Sequence, residues 1–120
     1  MRGSRAPSDA NVSARSHKLV WFVPEEALDA TRDAVFAAGA GRIGDYTRCS
    51  WFTLGTGSFE GGEGTDPAIG RAGREERTAE YRVETVVPVD RAGDVVAALI
   101  AAHPYEEVAF DLYPLVDPGA

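Results

Sequence analysis

The stretch His17-Lys18-Leu19-Val20-Trp21-Phe22-Val23 decides the fold. Leu19, Trp21 and Val23 alternate with Lys18, Val20 and Phe22, so an extended segment is apolar on both faces, the pattern of a strand in the middle of a sheet. Beyond it, Pro24 suits the first turn of a helix and Glu25 and Glu26 complement the positive end of its dipole. Leu28, Thr31, Val35 and Ala38 then fall on one helical stripe that ends near Gly39 to Gly41. Arg48 to Leu54 is rich in β-forming residues and predicts a second strand. Tyr81, Val83, Thr85, Val87 and Val89 alternate with Arg82, Glu84 and Val86 and predict a third. Asp90 is placed to cap a second helix, with Val96, Leu99, Ile100 and His103 at positions i, i+3, i+4 and i+7 and Pro104 as its stop. Val108 to Leu115 alternates again and closes a β-α-β-β-α-β order. That order is an α+β, ferredoxin-like sandwich, an antiparallel four-stranded sheet with two helices on one face. Trp21, Phe22, Trp51 and Phe52 divide between the two sheet faces. The face without helices therefore needs a cover, which association of copies supplies most simply.

At 120 residues the chain has room for one core. Met1 to Ser16 is polar, rich in Arg, Ser and Ala and without apolar period, and is expected to be a disordered leader, with residues 17–120 as a single domain. The formal charge is −7, and the leader carries Arg2, Arg5 and Arg15 against Asp9, so residues 17–120 stand at −9. Nucleic-acid binding rests on Lys and Arg neutralising phosphates, which this balance opposes. Cys49 is the single cysteine, which excludes an internal disulfide and fits a reducing cytoplasm. No apolar run reaches the roughly 20 residues of a membrane span, and no membrane partner is expected.

Chemistry-bearing residues concentrate in two places. His103-Pro104-Tyr105-Glu106-Glu107 sets an imidazole at a helix end beside a phenol and two carboxylates. His103, Glu106 and Glu107 are its candidate ligands for a divalent metal ion. The competing reading has His103 capping the helix, Pro104 ending it, Tyr105 packing, and Glu106 and Glu107 solvated. It carries more weight, because metal sites use three or four convergent ligands and the chain has two histidines. The second place is a long Gly-rich loop expected from Gly55 to Gly73, whose N–H groups could wrap a ligand. Gly55, Gly57, Ser58 and Phe59 are its candidate ligand-binding residues, together with Glu84 and Tyr105. It lacks the Gly-Lys-Ser/Thr ending of a P-loop. Glu75, Glu76, Glu80 and Glu84 around Arg82 read as a solvated face, and Cys49 as a buried thiol, since neither histidine can be placed beside it as a base.

Taken in order, Gly41-Arg42-Ile43-Gly44-Asp45-Tyr46, Cys49-Ser50-Trp51-Phe52, Gly55-Thr56-Gly57-Ser58-Phe59, Gly64-Thr65-Asp66-Pro67-Ala68-Ile69-Gly70, Glu80-Tyr81-Arg82-Val83-Glu84 and His103 to Asp111 resemble a known domain. It is the central insert domain of the NIF-three-like (YqfO-like) dinuclear metal centre proteins, often labelled type 2 GTP cyclohydrolase I. The resemblance implies a stand-alone version of a domain related to CutA and PII signalling proteins, ferredoxin-like and usually trimeric, with the family's metal site in flanking domains. It implies a non-catalytic, cytoplasmic homotrimer that binds a small ligand or metal ion. A structural or protein-interaction module without a small ligand is the first alternative, and a metal-dependent hydrolase the remotest.

Overall fold

β1 (Ser16–Val23) lies inside a four-stranded sheet, between β3 (Glu75–Pro88) and β4 (Phe110–Pro114). The computed structural model describes residues 16–64 and 73–119, and the leader expected over 1–16 falls outside them apart from Ser16, the first residue of β1. β2 (Ser50–Glu60) pairs with the outer side of β3, giving the order β2-β3-β1-β4 with all pairs antiparallel. Helices α1 (Leu28–Ala37) and α2 (Ala92–Ala102) each follow a single 3-10 turn and pack against one another. The α+β, ferredoxin-like arrangement read from the sequence is the one observed.

The core lies between the helices and one sheet face. Leu19, Trp21 and Val23 of β1 and Val83 and Val87 of β3 meet Leu28, Val35 and Phe36 of α1 and Val95 and Leu99 of α2. Trp21 is fully buried, and its indole N–H donates to Thr31 Oγ1 at 3.0 Å; the Thr31 hydroxyl lies 2.9 Å from Ala27 O and 3.0 Å from Leu28 O in the turn below. A polar residue on the core stripe of α1 is therefore explained by the polar atom that the tryptophan brings inside. After α1 the chain reverses at Gly41, whose N–H donates to Val86 O and whose carbonyl accepts from Cys49 N–H, both at 2.8 Å. Gly41 has φ +83°, and a Cβ there would stand 2.7 Å from the Phe36 ring, so glycine is required twice over.

Three sequence expectations change. The loop expected from Gly55 to Gly73 is in large part strand: β2 runs on to Glu60 and β3 begins at Glu75, six residues before Tyr81. Residues 55–60 and 75–80 pair only with each other beyond the end of β1, so a two-stranded ribbon projects from the sheet. Glycine and carboxylate composition hid the strand; the ladder itself, and Gly57 lying under the Glu80 side chain, account for it. Asp90 makes no side-chain cap to α2, which begins two residues later behind its 3-10 turn. The buried stripe of α2 is Val95 and Leu99, leaving Ile100 about half exposed, so the helix turns Val95 rather than Ile100 of the expected stripe to the core. Among the described residues no helix is long and apolar enough to cross a membrane.

Candidate functional site

His103 stands where α2 ends, with its own N–H still bonded to Leu99 O at 3.0 Å and its backbone already extended. The residue is 7% exposed. Nε2 lies 2.6 Å from Phe22 O in β1, and Nδ1 accepts the Tyr105 N–H at 3.2 Å. One tautomer satisfies both contacts, with Nε2 protonated and donating and Nδ1 bare. The Tyr105 ring then stacks at a tilt on the imidazole, with centroids 4.9 Å apart. The imidazole is thus a strut that joins the end of α2, the end of β1 and the turn after Pro104.

This geometry bears directly on metal binding. A metal needs a bare ring nitrogen, and both nitrogens of His103 are taken by backbone groups. Glu106 and Glu107 lie on the exposed side of the turn, and among the described residues no group of three or more His, Cys, Asp or Glu side chains is placed to hold a metal ion. The residues present do not fit the divalent ion that the sequence raised.

The ligand-binding candidates separate in space. Gly55, Gly57 and Phe59 alternate onto the side of the ribbon away from the helices, opposite Glu80, Thr78 and Glu76, while Ser58 points to the other side. Gly57 lies under the side chain of Glu80 on the neighbouring strand: a Cβ at that position would run into the Glu80 carboxylate. Burial pushes the Glu80 carboxyl above the usual carboxylate range. The Tyr105 hydroxyl is pushed up by burial first, then by the charges of Glu80 and Glu26. Its oxygen is enclosed and has no hydrogen-bond partner among the described residues. So Tyr105 lies within electrostatic reach of two carboxylates that the sequence did not single out as ligands, and Gly57 adjoins one of them, Glu80. Glu84 lies further along the sheet. Nothing in the local pattern marks Glu26, and Glu80, expected on a solvated face, is half-buried.

Glu84 belongs to a second arrangement, on the sheet face away from the helices. It takes Lys18 at 3.7 Å and Arg82 at 3.0 Å, and the Arg82 guanidinium lies 5.7 Å from the centre of the Phe22 ring. Trp51, directly opposite Glu84 in the ladder, is 59% exposed. Cys49 is half-buried rather than buried, because its backbone does the structural work: its carbonyl accepts the Thr85 hydroxyl at 2.6 Å while the thiol lies near the surface beside Thr47 O.

Burial pulls the His103 imidazole below its ordinary value, partly offset by its bond to Phe22. A base whose pKa is lower folded than unfolded gives stability that is present above the unfolded value, about 6.5, and lost as pH falls through the folded value. Thermal melts of the wild type should therefore lose stability below that pH. His103→Phe should be less stable by about 1–3 kcal/mol at pH 8, since it orphans the Phe22 carbonyl and the Tyr105 N–H, and should lose part of the acid sensitivity. An unchanged acid slope in the variant would contradict the strut.

Comparison with known proteins agrees with this architecture. No protein-family model matches the chain. A Mycobacterium tuberculosis protein called GTP cyclohydrolase 1 type 2 homolog is 55% identical over 101 residues, covering 84% of this chain and 27% of its own. The crystal structure of a Bacillus cereus protein related to NIF3 superposes with a TM-score of 0.74 and 43% identity, over 83% of this chain and 25% of that one. The CutA protein of Archaeoglobus fulgidus shares the fold, with a TM-score of 0.62 and 13% identity over 83% of each chain. The chain thus spans about a quarter of the length of the relatives it matches in sequence. It is a CutA-like, ferredoxin-fold domain homologous to one segment of the NIF3-like proteins named GTP cyclohydrolase 1 type 2 homologs.

Proposed function

We propose that this chain is a non-catalytic, cytoplasmic module that assembles with copies of itself, as the homotrimer its sequence resemblance implies, and acts as a regulatory or structural platform. The observation that carries the reading is the exposure of β2 and its ribbon. Trp51, Phe52 and Leu54 are 59%, 40% and 58% exposed on an edge strand of 11 residues, half of it in a two-stranded ribbon. Such ribbons are marginal alone in water, and a long edge strand bearing large apolar side chains is an open invitation to pairing. The relatives' name describes proteins about four times the length of the matched segment, and this reading assigns no step of that chemistry to the chain.

Light scattering on purified protein between about 1 and 200 μM, a range set by ordinary subunit affinities, should give a mass of three chains for the wild type. Trp51→Ala should shift the equilibrium toward monomer by about tenfold or more in dissociation constant, as truncation of an interfacial aromatic anchor does. A wild type that stays monomeric throughout would end this reading.

A second reading, small-ligand binding, is favoured by one atom. The enclosed Tyr105 hydroxyl, without a hydrogen-bond partner among the described residues, feels the charges of the Glu80 and Glu26 carboxylates. These groups suit a ligand that offers both a hydrogen-bond acceptor and a cationic or donor group. Calorimetry of the assembled protein against a panel of nucleotides and of free amino acids should find saturable binding that Tyr105→Phe weakens by about tenfold, the worth of one such hydrogen bond. Equal affinity in the variant would remove Tyr105 from any site.

A further inference from the structure

The face of the sheet opposite the helices has a charge balance unlike the rest of the molecule. The chain carries −7 overall, so two copies brought together at random repel. On this face, at the level of β1, Lys18 and Arg82 stand against Glu84 and Asp111, two charges of each sign, among Val20, Phe22, Val86, Trp51 and Tyr113. Glu84 is shared by both cations, which leaves one positive charge in that triad uncompensated. Asp111 is exposed, lies across Val20 from Glu84, and has no ion-pair partner among the described residues. Lys18, its diagonal neighbour across the β1–β4 pair, turns to Glu84 instead.

We propose that this face docks on a second copy of the same chain and that Asp111 of one copy pairs with the Lys18–Arg82 cations of the next, fixing the register of the assembly. The inference rests on the self-assembly reading above and adds to it the residues that choose the partner. The surplus cation and the unpaired carboxylate on one face are what a copy needs to satisfy itself. Trp51 and Tyr113, exposed on this face, supply area without direction, whereas an ion pair across the interface rejects wrong registers by leaving like charges opposed. Arg82, held over Phe22 and against Glu84, presents its guanidinium in a fixed place and so serves better as a register pin than a free chain would.

The test is a charge swap in the full chain, read by sedimentation equilibrium with circular dichroism as the fold control. Asp111→Lys and Lys18→Glu should each raise the dissociation constant of self-assembly about tenfold or more, and Asp111→Asn by less, since like charges opposed across an interface cost more than a pair merely lost. The double variant D111K/K18E should recover to within about threefold of wild type, because the pair is restored with reversed sign. Wild-type assembly that Asp111→Lys leaves untouched, or a double variant no better than the single ones, overturns the pairing while self-assembly stands. A monomeric wild type overturns both.

Discussion

The structure depends on one constraint: β1 has to be covered on two faces at once. As an inner strand it is held in register by β3 and β4, and a slip of one residue would turn Leu19, Trp21 and Val23 away from the helices and bring Lys18 into the core. The Trp21–Thr31 hydrogen bond ties the helical layer to that register, because only the correct face brings an indole N–H to the α1 stripe. On the other face Val20 is 1% exposed in a single chain, although no helix lies over it. Flanking side chains alone close over its centre, while Trp51 and Tyr113 at the margins stay open.

The same strand organises what lies at its end. Phe22 contributes its ring to Arg82 on the open face and its carbonyl to His103 on the helix side, so one residue links the two regions that the chemistry singles out. His103 fixes the turn, the turn carries Tyr105, and Tyr105 faces carboxylates from the turn after β1 and from β3. The run from His103 to Glu107 is thereby a structural joint first. Its imidazole is committed to two backbone groups, and within the run the Tyr105 hydroxyl is enclosed without a hydrogen-bond partner among the described residues.

Much of this was legible in the sequence where a period was long enough to read. The alternation in Lys18 to Val23 and Tyr81 to Val87 placed both central strands, and the spacing of Leu28, Thr31 and Val35 placed α1. The ribbon was not legible, because Gly55, Gly57 and the carboxylates of 75–80 are poor strand formers by composition, and cross-strand pairing decides their state. Part of the run Gly64 to Gly70, which the resemblance used, lies outside the described residues. The candidate site divided in the same way. His103 and Tyr105 stood out by residue type and position at a helix stop, whereas Glu26 and Glu80 join them only through tertiary structure. Their place could not be read from spacing, since they stand 54 positions apart and a ribbon of unforeseen length carries the second.

The central claim is that the open sheet face is covered by further copies of the chain. The two tryptophans offer a direct measurement, because Trp21 is fully buried in a single chain and Trp51 is mostly exposed. Acrylamide quenching of the wild-type protein should show one accessible tryptophan at high dilution. That fraction should fall, with a blue shift of the emission, as concentration rises through the assembly range. Quenching that stays constant across that range, with Trp51 open to solvent at every concentration, would contradict the account.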